Sequence, residues 1–249
     1  MKRIYPKTVL LAAAALMAFS APVQAAKMDN SIESSARESY VFKTYLQEDD
    51  IKIKSRDGVV TISGEVLNES HKMLAQETVA ELPNVKGVDN QLKIKSEPAK
   101  NSDAWLTAKV KSTLLFHRSV SAKTEVEVKD GVVTLKGAAA SPAQRELTTE
   151  YVKDIDGVKD VKNEMTVAGV KDEQRSLGDK IDDSSLTAQV KMTLLYHRST
   201  SAINTKVTTR DGVVTLHGSA RNTAEIDLAT KLANDVTGVN SVVNRMIVE

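Results

Sequence analysis

The chain has 249 residues, of which 41% are hydrophobic and 27% charged, with a formal net charge of +1 and no cysteine. This is the balance of ordinary folded domains, and it excludes disulfide scaffolds, thiolate zinc sites, a cysteine-linked lipid anchor and a general electrostatic affinity for nucleic acid. Aromatic residues make up only 4%, so any core must be built from Val, Leu, Ile and Ala.

The N-terminus reads MKRIYPKTVLLAAAALMAFSAPVQA. Lys2, Arg3 and Lys7 precede an apolar run over residues 9–19, and small residues then lead to a cleavage site after Ala25, which predicts a secretory leader over residues 1–25. The run is too short to span a bilayer. The expected product is a soluble periplasmic chain without a lipid anchor. Removing those three cations from 34 basic residues leaves 31 against 33 acidic ones, so the mature chain is slightly acidic.

Beyond the leader the pentapeptide DGVVT occurs at residues 57–61, 130–134 and 211–215. Alignment on it extends in both directions: DAWLTAKVKSTLLFHRSVSA (103–122) faces DSSLTAQVKMTLLYHRSTSA (183–202), and GVKDVKNEMTV (157–167) faces GVNSVVNRMIV (238–248). Three units are expected, over residues 28–97, 102–170 and 181–249, each long enough for a small domain and too long for a solenoid repeat.

The first unit opens with a helix over residues 31–47 that runs into Ile51-Lys52-Ile53 without an HRSxSA segment. The second has a helix with Leu106, Val110 and Leu114 on one stripe and Ser102 or Asp103 as its cap. A strand at Glu125-Val126-Glu127-Val128 then turns at Asp130-Gly131 into Val132-Val133-Thr134-Leu135, since Asp-Gly between β-rich runs favours a type I′ hairpin. Gly58, Gly131 and Gly212 are therefore read as turn glycines, and Gly64, Gly137 and Gly218 close the returning strand. Ser141-Pro142-Ala143-Gln144 starts the second helix as a capping box, and Asn222-Thr223-Ala224-Glu225 repeats the pattern in the third unit. That helix ends near Gly157, with Gly238 and Asn84 as its equivalents, and a last strand follows over residues 161–167. The order is helix, strand, strand, helix, strand, an α+β domain with two helices on one face of a three-stranded sheet, joined to its neighbours by residues 96–102 and 170–180.

A short helix, a strand ending in DGVVTLxG, a capped helix and GVxxVxN leading into a terminal strand resemble the BON domain of bacterial envelope proteins, in three copies over nearly all of the mature chain. The signal-bearing, cysteine-free form is similar to the osmotically inducible periplasmic members of that family. The resemblance implies a non-enzymatic protein with roles in phospholipid interaction and envelope integrity under stress. The first unit is the most divergent and the most acidic, with 9 basic and 13 acidic residues over 28–97, against 10 and 10 in the second and 7 and 7 in the third. It is the least suited to an anionic surface.

Chemistry is hard to place in this sequence. His71, His117, His197 and His217 form no HxH or HExxH pattern, and no Walker, G-x-S-x-G or G-x-G-x-x-G motif occurs. No cofactor, metal or small-molecule substrate is expected. The repeated His117-Arg118 and His197-Arg198 lie at helix C-termini, where cations suit the helix dipole. Trp105, Lys109 and Phe116 cluster beside the Leu106 stripe on a helical wheel, and Trp beside Lys is the composition of a membrane-interface edge, so these three are the candidate contact with lipid or partner. Packing of Trp105 within the fold is the competing reading. A periplasmic chaperone or adaptor for envelope proteins is the alternative function.

Overall fold

The computed structural model describes residues 20–96, 98–168, 180–200 and 204–249. Of the leader, residues 1–19 lie outside that set, and the chain from Ser20 on enters the first helix, α1 (Ser20–Glu38). The contacts that hold α1 to its domain include Met28, Ile32 and Ala36 in the core and Asp29 on the hairpin, all C-terminal to Ala25.

Three α+β domains follow in tandem. The first comprises α1, α2 (Tyr40–Thr44), β1 (Asp50–Arg56), β2 (Val59–Val66), α3 (Glu69–Ala80) and β3 (Gly87–Ile94). The second comprises α4 (Asp103–Phe116), β4 (Glu125–Lys129), β5 (Val132–Lys136), β6 (Ala138–Ala139), α5 (Pro142–Lys153), β7 (Asp160–Asn163) and β8 (Thr166–Val167). The third comprises α6 (Asp183–Tyr196), β9 (Asn204–Arg210), β10 (Val213–Ala220), α7 (Thr223–Asp235) and β11 (Ser241–Val248). In each sheet the DGVVT strand is central, antiparallel to the strand before it and parallel to the strand after the second helix. That position explains its valines: Val60, Val133 and Val214 are fully buried under the helices.

Two departures from the sequence reading have local causes. The helix expected over residues 31–47 breaks at Ser39, whose backbone is extended. The freed N–H groups of Tyr40 and Val41 donate to Asp182 Oδ2 at 2.8 Å and Ser185 Oγ at 3.1 Å, so a contact with the third domain ends one helix and starts another. The strand expected over residues 161–167 is split into β7 and β8, opposite the break between β5 and β6 at Gly137.

The hairpin turns are type I′, with Asp57, Asp130 and Asp211 at φ 55°, 54° and 51° and the following glycines at 81°, 81° and 75°. Each turn is held by a carboxylate from its domain's first helix, from mid-helix in α1 and from the first residue of α4 and α6. Asp29, Asp103 and Asp183 each accept both turn N–H groups, at 2.7–2.9 Å for the latter two and 2.9 and 3.0 Å for Asp29. Hydrogen bonds dominate the titration of the first two, with Ser55 first for Asp29 and the Asp130 N–H first for Asp103, and both lie below the usual carboxylate range. A second threefold repeat fixes the last strand: Asn90, Asn163 and Asn244 donate Nδ2 to the second helix and accept the N–H two residues on. The N-caps Asn68, Ser141 and Asn222 start that helix, and Gln144 and Glu225 reach back to the Ala140 and Arg221 N–H groups.

Gly64, Gly137 and Gly218 sit at φ 120°, 109° and 130°, where the neighbouring strand approaches so closely that a Cβ at Gly218 would stand 1.7 Å from the Asn204 carbonyl oxygen. The close contact is with backbone and cannot be relieved by a rotamer change. Gly218→Ala is expected to destabilise the third domain by about 2–4 kcal/mol, from strain at positive φ and displacement of β9. Urea denaturation followed by circular dichroism tests this, and an unchanged midpoint would contradict it.

Candidate functional site

The three domains are packed together, and the seam between the second and third is built mainly by the segments that follow α4 and α6. His117 and His197 are the C-cap residues of these helices, as the sequence suggested, but the cations beside them serve another helix. The Arg118 guanidinium donates to the carbonyls of Asn234, Val236 and Val239 at 2.6, 3.0 and 2.7 Å, at the C-terminal end of α7 in the third domain. Arg198 donates to the Lys153 carbonyl at 2.5 Å, at the end of α5 in the second. The dipole pairing is right in kind, and the correction is that each domain caps the other's second helix.

The exchange is close to symmetric. His117 bridges to Val236 and His197 to Ile155 in antiparallel pairs. The Arg118 N–H reaches the Asp235 carbonyl at 2.8 Å and the Arg198 N–H reaches that of Asp154 at 2.6 Å. His117 Nδ1 lies 2.9 Å from Asp235 Oδ2, and His197 Nδ1 lies 3.2 Å from Asp154 Oδ2. Ser119 and Ser199 donate hydroxyls to the same two carboxylates. At the centre His117 Nε2 and His197 Nε2 face each other at 3.2 Å, and both rings are fully buried. One residue breaks the symmetry: Tyr151 stacks on His117 with centroids 4.0 Å apart and donates its hydroxyl to Asp235 at 2.9 Å, where the third domain has Leu232. Burial works to raise both Asp154 and Asp235, but the imidazole and serine hydrogen bonds outweigh it and hold both below the usual carboxylate range.

Beside this seam the first domain meets the third. Met192 and Tyr196 of α6 enter the core of the first domain, the Tyr196 hydroxyl contacts Ser70 Oγ at 2.9 Å, and Lys191 bonds Glu77 at 3.0 Å and Glu81 at 2.6 Å. Burial opposes the charge on Lys191, yet the two glutamates keep its pKa above the usual lysine value.

Where the three domains converge a groove of about 480 Å3 opens, with Asn68, Ser70 and Met73 on one wall, Trp105, Lys109 and Asp156 on another, and Leu195 and Tyr196 between them. Trp105 and Lys109 are thus together, as the helical wheel placed them. Lys109 Nζ stands 5.0 Å from the Trp105 ring and 5.6 Å from the Tyr196 ring, and donates to the Asp156 carbonyl at 3.1 Å. Burial lowers its pKa below the usual lysine value, Asp156 opposes this and Arg198 adds to it. Phe116 is not on this wall. It is 1% exposed, packed edge-on against Tyr45 at 5.5 Å inside the core of the first domain, and must be withdrawn from the candidate contact because its neighbour is the chain itself. In its place stands Leu195, 44% exposed at the groove and off the apolar stripe that the helical spacing marks.

The remaining histidines lie apart from the junction core. His71 pairs with Asp49 at 2.6 Å, and His217 lies on β10 between Lys206 and Arg245 in register. Among the described residues no three His, Asp or Glu side chains converge as a metal-ligand set.

Comparison with known proteins bears on the whole chain. The family model of the BON domain matches residues 28–96, 102–169 and 182–249. The chain is 35% identical over 144 residues to the osmotically-inducible protein Y of Escherichia coli K12, covering 57% of this chain and 70% of that one. It is 32% identical over 142 residues to an uncharacterized protein of Anaplasma centrale, covering 57% and 91%. It is 27% identical over 155 residues to the outer membrane lipoprotein DolP of Haemophilus influenzae, covering 62% and 72%.

The seam generates a stability prediction. Asp235→Ala removes the acceptor of His117, Ser119 and Tyr151 and leaves three donors without it. It is expected to weaken docking of the second domain on the third by about 3–5 kcal/mol. Small-angle scattering should then report an increased radius of gyration with secondary structure retained, and an unchanged scattering curve would contradict the assignment.

Proposed function

Because the chain belongs to the BON domain family, with three copies over most of its length, we propose that it is a non-enzymatic binding protein of the cell envelope, exported by cleavage after Ala25, that associates with phospholipid surfaces and supports envelope integrity under osmotic or related stress. The names of two relatives, one osmotically inducible and one an outer membrane lipoprotein, support the stress and envelope parts of this reading. Among the described residues no helix is long and apolar enough to cross a membrane, so attachment through them would be to a surface.

The observation that carries the binding site is the junction groove. A half-buried Trp105, an exposed Leu195, an exposed Lys100 and a buried Lys109 line one opening. An indole and a leucine can enter the acyl boundary while the cations meet lipid phosphate. The affinity is expected to be modest: one leucine and one partly covered indole contribute a few kcal/mol at most, and each cation near an anionic surface adds about 1 kcal/mol. Three domains in one chain do not multiply this site, because residues from all three are needed to build it.

Trp105 is the single tryptophan, so its emission reports this groove alone. Cosedimentation with anionic liposomes is expected to be accompanied by a blue shift, and neutral liposomes should bind less. Trp105→Ala combined with Leu195→Glu should abolish both signals with an unchanged circular dichroism spectrum. Binding of unfolded envelope proteins without liposome affinity would favour the chaperone reading instead. An emission spectrum indifferent to either ligand would mean that Trp105 serves only the packing of its own domain.

A further inference from the structure

The histidine pair at the seam has a proton count that its geometry fixes. Asp235 accepts hydrogen bonds from Tyr151 and Ser119 hydroxyls, and Asp154 accepts the Ser199 hydroxyl and N–H. A carboxylate that already accepts in this way can take an imidazole nitrogen only as a donor, so Nδ1 of both His117 and His197 carries hydrogen. The two Nε2 atoms are left 3.2 Å apart with both rings fully buried. Two bare lone pairs at that distance repel, and two N–H groups collide. One hydrogen between them makes an N–H···N bond.

We propose that the seam between the second and third domains is a proton-binding site, in which His117 and His197 share a single proton on their Nε2 atoms and together carry one positive charge between Asp235 and Asp154. Every other charged or titratable group that faces the pair fits this count. Tyr151 stacks on His117 as a neutral phenol, its pKa pushed far up by burial and by Asp235. Arg118 and Arg198 are turned to helix-end carbonyls on either side. Both carboxylates lie below the usual range and so remain ionised acceptors.

The linkage has two signs. The docked state holds the shared proton more tightly than separated domains would, so raising the pH releases it and favours opening. The docked state also resists a second proton, which would set two imidazolium rings against each other, so lowering the pH favours opening as well. Docking is therefore confined to a pH window, with histidine as the sensor.

The test uses the full chain, whose lack of cysteine allows clean labelling. Spin labels at Lys129→Cys and Lys206→Cys, both exposed and in different domains, should give one narrow distance distribution near neutrality that broadens toward about pH 4 and about pH 10. Nitrogen-15 spectra of the chain without spin labels should show three protonated nitrogens among the four of the pair. His197→Phe should abolish the pH dependence of the distance. Asp154→Asn, which removes a negative charge but keeps an acceptor, should move the whole window to lower pH, and it serves where the phenylalanine variant does not fold. Two Nδ1 protons and none on Nε2, or a distance unchanged across the range, would overturn the proposal.

Discussion

Helix α6 has almost no side that can face water. Apart from Lys191 and Leu195, every residue from Ser184 to Tyr196 is buried. A helix of that kind has to be enclosed, and its own three-stranded sheet can cover one stripe only. Leu186, Val190 and Leu194 take that sheet, while Ala188, Met192 and Tyr196, four residues apart on another face, complete the core of the first domain. The first and third domains are thus joined across a second domain that separates them in sequence. Asp182 marks the same dependence at the helix start, since its carboxylate accepts from Ser185 N–H within α6 and from Tyr40 N–H at the start of α2. Once these two domains are locked, Phe116 and the HRS segment of the second can reach both, and the groove forms where the three surfaces meet.

The fold of each domain was legible because its signals are local. Asp-Gly sets the hairpin, Ser-Pro-x-Gln and Asn-x-x-Glu set the second helix, and the Val-rich run after the turn selects the central strand. The aspartate that grips each turn was less visible, although it recurs 28, 27 and 28 residues before the turn aspartate at Asp29, Asp103 and Asp183, and that spacing could have exposed it. The junction was largely illegible. A second stripe reading Ala188, Met192, Tyr196 announces a second partner for α6, but a stripe does not say which surface covers it. The same holds for the repeated His-Arg pairs. Their position at helix ends gave the chemistry of the contact, and nothing local could reveal that the helix end they serve belongs to another domain.

The two kinds of contact divide the work of assembly. The α6 face that enters the first domain is apolar and nondirectional, so it supplies driving force with limited specificity. The seam is polar, buried and directional. Buried ionic contacts recover little net free energy after desolvation, yet leaving one partner without the other is costly. A slipped arrangement of the second and third domains would strand Asp154, Asp235 and both imidazoles away from water. Register at the seam is set by that penalty more than by attraction, and the stacked Tyr151 further distinguishes the two halves.

The near-symmetry of the seam bears on how such a chain arises. A module that carries the HRS segment at one edge and an aspartate at the end of its second helix is self-complementary under a twofold rotation, the relation found in isologous homodimers. Placing two such modules in one polypeptide converts an intermolecular contact into an intramolecular one that no longer depends on concentration. The halves are then free to drift apart, which is impossible while a single gene encodes both. Tyr151, where the third domain has Leu232, is a difference of the kind that such separation permits. The first module lacks the HRS segment and carries Glu81 where its siblings have Asp154 and Asp235, so it cannot join as a third equal and is held instead through the unused face of α6. A tandem array of this design closes after two matched members, and further copies must attach by different rules.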